Sequence, residues 1–489
     1  MNPQIAGLDT EYGISVEARG ASSQVEDATE FVRSFPGRAF VGWDYRFESP
    51  RQDLRGFQLD RLAVDPLDAE YDAGKSYMPA ADLRADRVLE NGARFYNDHG
   101  HPEFATPECA RLDSLVAADL YGERVLLETA SAYSAQTCLA VSIYKNNTDF
   151  HGASYGSHEN YLVDRKLGFQ TLFQAVSPML IARTILCGAG KVGAEAHGSA
   201  VYQLSQRADF FVEAANAETL YRRPIFNTRD EPHAPAERFG RLHVISGDAN
   251  MIPATTARKV GLVKIALGLA EVGEAPKWDF ADPVRTMRAI SRDETYDFRV
   301  ELTGRNWTTA YEILESYFAA AERFLELDDE LLAVIEDSRT LMVELRNDFD
   351  RFARRVDWAA KRKMLEQIQE MEGLSWGDRA LQSYDLEYHN IDPEAGLYHA
   401  LIEMDLVDRE FASVAEPDRT RGWVRGLATA KFKPAIDTLG WRAIRFRTSE
   451  GPLDVELRPD MLYSAELADA EDVGTFINHL LEAQQGPQS

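Results

Sequence analysis

The stretch Asn91–Cys109, NGARFYNDHGHPEFATPEC, constrains the fold most, because it puts Arg94, Tyr96, Asp98, His99, His101, Glu103 and Glu108 into one short run. Read as a strand, its side chains alternate faces. Arg94, Tyr96 and Asp98 then share one face, and Ala93 and Phe95 share the other. The apolar face wants a core. A face carrying a cation, a phenol and a carboxylate side by side wants a ligand. Pro102 and Pro107 bracket the continuation and favour extended or turn geometry over helix. A solvent-facing strand with a scattered ion pair would also fit this segment alone, but the pattern recurs elsewhere in the chain.

Residues 5–16, IAGLDTEYGISV, alternate in the same way. Ala6, Leu8, Thr10, Tyr12, Ile14 and Val16 form one face, and Gly7, Asp9, Glu11, Gly13 and Ser15 the other. Carboxylates two residues apart repel each other, so Asp9 and Glu11 call for a cation, and the glycines leave room for one. In residues 151–165, HGASYGSHENYLVDR, His158 and Asn160 share a face. In residues 226–250, Arg241 and His243 do, opposite Leu242 and Val244. A lone histidine on a strand is more often structural than a ligand; two such pairs shift the reading toward a site.

The remaining segments read mainly as helix. Amphipathic spacing predicts helices over 113–135, 167–186, 258–269, 308–346 and 358–372. GAGKVG, residues 188–193, matches G-x-G-x-x-G but follows a helix rather than a strand and lies in no βαβ unit, so it reads as a glycine turn. Residues 36–85 hold WDYRFESPRQDLRGFQLDR and no regular pattern; a connection of this length is usually functional. A basic run at 420–433, a hairpin within 441–457 and a closing helix at 465–484 suggest a small C-terminal domain over 410–489, after a catalytic domain over 1–409.

The net charge of −27 opposes non-specific binding to nucleic acid or to an anionic membrane. The most apolar run, 178–189, is short and contains Arg183, so no membrane span is expected. Cys109, Cys138 and Cys187 are far apart, which suits a reducing cytoplasm rather than a disulfide framework.

Together the polar faces predict an α+β fold. One antiparallel sheet has helices over its apolar side and a polar concave side open to ligand. Carboxylates, imidazoles, an amide and a phenol suit Mg²⁺ or Mn²⁺ held with waters and phosphate oxygens, and arginines on the same surface suit a polyphosphate.

The motifs GLDTEYG, NGARFYNDHGHPEFATPE, YKNNTDFHGASYGSHENY, SQRADF, NTRDEPHA and RLHVISGDAN together resemble the Pup ligase/depupylase family, relatives of glutamine synthetase and other carboxylate–amine ligases. The resemblance implies a glutamine-synthetase-like large domain with a curved antiparallel sheet, a small C-terminal domain, and ATP bound with Mg²⁺ in the sheet cradle. Carried over by motif, Asp9, Tyr96, Glu103, His158, Asn160 and His243 correspond to metal positions. Gly7, Leu8, Asp9, Thr10, Glu11, Arg94, Ala105, Thr106, Pro107, Glu108 and Arg241 correspond to nucleotide positions, and Asp98 to the catalytic aspartate. The family usually has glutamate where this chain has the shorter Asp9, which touches metal affinity.

The insertion at 36–85 and the wording DHGHPE resemble the depupylating branch. The implied reaction is hydrolysis of the isopeptide bond between the C-terminal glutamate of Pup, the prokaryotic ubiquitin-like protein, and a substrate lysine. Deamidation of a C-terminal glutamine of Pup would use the same site. Pup and pupylated proteins are the expected partners. Basic and aromatic residues around 421–433 are the expected contact for the acidic Pup tail. The alternatives are Pup ligation on the same fold, a small-molecule carboxylate–amine ligase, and a nucleotide-binding scaffold without activity.

Overall fold

A computed structural model describes residues 4–19, 23–60, 80–149, 154–195, 201–408 and 417–485. Nine strands form the main sheet: β1 (Ala6–Glu11), β2 (Ala39–Phe40), β3 (Arg87–Leu89), β4 (Arg94–Asp98), β5 (His101–Ala105), β6 (Ser157–Asp164), β7 (Glu213–Asn216), β8 (Pro224–Asn227) and β9 (Phe239–Val244). They lie in the order β7-β8-β9-β6-β1-β5-β4-β3-β2. Every pairing is antiparallel except that of β7 with β8.

The expected single strand over residues 5–16 is two strands. β1 ends at Glu11, and Gly13–Val16 pairs instead with Val141–Tyr144 in a separate two-stranded sheet. At the break, the Glu11 N–H donates to the Gly156 carbonyl and the Tyr12 N–H to the Pro102 carbonyl. The alternation is real on both sides of Tyr12, but the backbone changes partners there.

β4 and β5 form a hairpin in which Asp98 faces His101. Its two turn residues, His99 (φ 46°) and Gly100 (φ 90°), both have positive φ, as tight two-residue hairpin turns require.

The apolar face of the sheet, with Leu8, Phe95, Phe104, Tyr161 and Leu242 almost fully buried, belongs to the main core. Helices α1 (Gln24–Arg33), α2 (Leu112–Thr137) and α3 (Gly168–Ala182) cover it, and α4 (Pro253–Val272) packs against α2 and α3. α2 approaches closely where Gly122 sits over the Phe104 ring; a Cβ there would lie 2.5 Å from the ring. The N–H groups that open α2 are capped from a distance. Asp418 accepts from Ala110 and Arg111, and Glu330 from Leu112 and Asp113. α4 is buried along nearly its whole length, packed among α2, α3, α5 (Ala310–Phe324) and α6 (Asp329–Asn347). The long periodicity at 308–346 is thus two helices, broken where Asp328 caps the second. α7 (Asp357–Glu372) follows.

A second core joins α8 (Arg421–Phe432), the strands β10 (Ile436–Leu439), β11 (Ala443–Thr448) and β12 (Gly451–Glu456), and α9 (Val473–Gln485). Phe40, Trp43 and Val88 contribute to it from the other side. α8 docks through its glycines. Gly422 abuts Pro107 and Glu108, and Gly426 lies against the backbone of 90–92, so a Cβ at either would meet neighbours inside 3 Å. The boundary expected near residue 410 and the middle of the 36–85 insertion (61–79) lie outside the described residues. Among the described residues, no helix is long and apolar enough to cross a membrane.

Candidate active site

The register of the sheet brings the polar faces together. Tyr96, Glu103 and Glu11 stand in one row across β4, β5 and β1. Asp9 opposes His158, and Gly7, Asn160 and His243 form another row across β1, β6 and β9. These residues line one cavity of about 430 Å³, together with Arg94, Asp98, Thr106, Glu108 and Arg241. Leu8, Thr10, Ala105 and Pro107 are not among the lining residues. Leu8, Thr10 and Ala105 are buried. Leu8 contributes through its backbone, whose N–H donates to the Thr106 hydroxyl at 3.0 Å.

At one end, carboxylate oxygens of Glu11, Asp98 and Glu103 lie within 4.8 Å of one another. Like charges directly across a sheet are destabilising. Burial, then Asp98, pushes the Glu11 carboxyl up to about 7. Burial followed by Asp98, Glu11 and Asp9 pushes Glu103 well above the carboxylate range. Burial also raises Asp98, but His99, Arg84 and Arg94 outweigh it and leave that carboxyl below its ordinary value. The nearest cation is Arg84, 3.6 Å away. One ionised carboxylate among two strained ones is a setting that a divalent cation would relieve.

Next to it, Asn160 donates to Asp9 at 2.8 Å and Arg241 donates to Asn160 at 3.1 Å. His158 and His243 meet edge to face at 5.0 Å. Burial and surrounding arginines hold both imidazoles well below their ordinary pKa, hence neutral and able to act as ligands. Among the described residues, neither ring nitrogen of His243 has a hydrogen-bond partner, nor does Nε of Arg207, Arg229 or Arg241 or Nη1 of Arg207. Buried polar atoms are normally paired, so this accumulation marks a place where a ligand supplies the partners. The carboxylates and neutral imidazoles fit a hard divalent cation, and the open arginine donors fit phosphate oxygens.

Two expected nucleotide residues are engaged by the protein itself. Arg94 donates to Asp86 at 2.8 Å, with its guanidinium between the rings of Trp43 (4.1 Å) and Tyr96 (4.0 Å). Glu108 accepts from Arg421 at 2.6 Å and from Arg425 at 3.0 and 2.5 Å. Both α8 arginines are buried, which removes them from the contact expected around 421–433 for an acidic tail, whereas Lys431 and Lys433 of that run are exposed. Arg84, His99, Arg207 and Arg229 also line the cavity, although none of them was assigned a role from the sequence. Arg207 and Arg229 lie inside SQRADF and NTRDEPHA, so the motifs held the signal although no role was read from them. Glu48 and Pro50 of the insertion also form part of the wall.

Known proteins resemble the chain in sequence and in fold. The chain is 38% identical over 467 residues to a depupylase from Acidothermus cellulolyticus, covering 91% of each. It is 34% identical over 467 residues to a Pup deamidase/depupylase from Mycobacterium tuberculosis, again covering 91% of each. A solved complex of Pup with its ligase PafA superimposes with a TM-score of 0.77 at 27% identity, over 98% of this chain and 92% of that one. PafA in complex with ADP gives 0.70 at 29%, over 87% and 96%. The family model for the Pup-ligase protein matches residues 4–445, and the chain belongs to that family.

Proposed function

We propose that this chain is an ATP- and Mg²⁺-dependent depupylase. It hydrolyses the isopeptide bond between the C-terminal glutamate of Pup and a substrate lysine, and deamidates a C-terminal glutamine of Pup at the same side-chain carbonyl. The names of the two relatives point to this direction of the reaction, and the ADP complex of PafA supports a nucleotide in the cavity. The observation that carries the reading is Asp98. It is held ionised in a cavity of open arginine donors, one residue from the hairpin turn and beside two carboxylates that need a cation.

Glu11 and Glu103, with Tyr96, Asp9, His158, Asn160 and His243, would hold the metal; Arg241 and Arg207, with the backbone of β1, would hold the nucleotide. When bound, magnesium offsets phosphate charge and polarises the oxygens it touches. The chain's own residues do the rest. Ionised Asp98 serves the amide as nucleophile or as base to the attacking oxygen, while Arg84 and His99 keep it charged. Arg84, 3.6 Å from Asp98, would be the guanidinium that offsets charge developing on the carbonyl oxygen. The walls formed by Glu48 and Pro50 of the 36–85 insertion close one side, which supports a gating role for that segment.

The division into a catalytic unit (1–409) and a small C-terminal unit (410–489) belongs to the same proposal, as does a cytoplasmic location. The separate core around α8 and β10–β12 supports the first. Incubation with a Pup-conjugated protein, ATP and Mg²⁺ tests the function. The expected products are free Pup and the unmodified lysine. Conjugation of free Pup without cleavage would make the chain a ligase, and nucleotide turnover stimulated by an amino acid but not by Pup would make it a small-molecule ligase.

A further inference from the structure

Two of the sequence motifs, SQRADF and RLHVISGDAN, meet behind the cavity at a residue with no assigned role. Asp248 is buried, and its two carboxylate oxygens take three donors. The Ser205 hydroxyl donates to Oδ1 at 2.9 Å, while the Gln206 N–H (3.0 Å) and the Ala189 N–H (2.9 Å) donate to Oδ2. Ser205 passes the constraint on, because its Oγ accepts from the Arg207 and Ala208 N–H groups, both at 3.1 Å. Asp248 is itself fixed, since Lys259 donates to its backbone carbonyl at 2.7 Å. At the far end of this chain of bonds is Arg207, 1% exposed, lining the cavity with Nε and Nη1 unpartnered.

We propose that Asp248 is a positioning residue that clamps the Ser205–Arg207 segment so that the Arg207 guanidinium is presented to an anionic phosphate group in the cavity. The inference rests on the reading of that cavity as a nucleotide site. The Arg207 guanidinium lies over the Phe211 ring at 5.7 Å, but its Nε and Nη1 find no hydrogen-bond partner among the described residues, so no hydrogen bond at those atoms fixes its direction and its aim depends on the backbone that carries it. Asparagine at 248 would keep the shape of the side chain but offer one acceptor oxygen instead of two. An amide N–H would then confront a donor, because the Ser205 lone pairs are already used by Arg207 and Ala208.

The test is a double-mutant cycle on Asp248→Asn and Arg207→Ala. Affinity for a non-hydrolysable ATP analogue with Mg²⁺ is read alongside kcat and KM for cleavage of a Pup conjugate. Arg207→Ala should weaken analogue binding or kcat roughly 10- to 100-fold, the range for losing a charged hydrogen bond. Asp248→Asn should act on the same parameter in the same direction, and the double variant should be no worse than Arg207→Ala alone. Multiplying effects would overturn the proposal. So would an Asp248→Asn protein with a lowered Tm but wild-type affinity and kcat. If Asp248→Asn does not fold, Ser205→Ala, which removes only the relay, takes its place in the cycle with the same criteria. Failure of conjugate cleavage by the wild type would refute the proposed function, while the analogue-binding cycle would still decide the role of Asp248.

Discussion

Glu11 and Glu108 are the same side chain, one buried and the other largely so, both lining the same cavity, and their surroundings drive them in opposite directions. Glu108 meets two arginines from α8 and is pulled down to about 2, because their charge outweighs burial. Glu11 stands opposite Glu103, near Asp98, and is pushed up to about 7 by burial and by that neighbour. One cluster is complete within the protein; the other is not. Complete clusters hold parts together, here α8 against the segment that follows β5. Incomplete ones are where a ligand is expected.

The comparison breaks first at Asp98. Asp98→Ala should reduce conjugate cleavage by roughly 10²–10⁴-fold, the usual scale for a group that moves a proton at the reacting centre. Nucleotide binding should persist, as calorimetry would show. Turnover at the wild-type rate would remove Asp98 from the chemistry.

On the complete side, Glu108→Gln leaves two buried guanidinium groups without a counter-charge. Breaking a buried pair in this way costs about 3–5 kcal/mol, which urea unfolding would measure. The pH dependence has a definite sign. A carboxyl lowered from 4.5 to about 2 on folding gives stability that is complete above about pH 4.5 and fades as pH falls toward 2. Between pH 5 and 3 the wild type should therefore lose stability faster than Glu108→Gln. Parallel curves would mean that the lock is not formed.

On the incomplete side the expected effect is smaller and of opposite sign. Glu103→Gln removes one of the facing carboxylates and should stabilise the metal-free protein by roughly 0.2–1 kcal/mol. It should also lose most of the rise in Tm that Mg²⁺ with nucleotide gives the wild type. A destabilised variant that still responds fully to Mg²⁺ would show that Glu103 is structural.

Much of this was legible in the residues, because side-chain alternation is local. Asp9 and Glu11, Tyr96 and Asp98, His158 and Asn160, Arg241 and His243 each share a face by the two-residue period of a strand, and the structure brings all of them into one cavity. The hairpin turn at His99 and Gly100 was not read from the sequence: Gly100 suits its positive φ, but His99 beside it carries no such signal. What depends on distant partners was not legible. That Arg94 is stacked on Trp43 of the insertion, and that Glu108 is taken up by Arg421 and Arg425 of α8, follows from contacts between segments far apart in the chain. The change of sheet at Tyr12 lies inside an unbroken alternating pattern, so no period could reveal it. Arg207 shows its importance only through missing partners, a property of packing rather than of sequence.

The most direct test of the account is a crystal structure with a non-hydrolysable ATP analogue and Mg²⁺. It should show phosphate oxygens on the open donors of Arg207 and Arg241, a cation at Glu11 and Glu103, and Asp98 facing them. An analogue bound elsewhere, or Asp98 turned away from bound phosphates and metal, would contradict it.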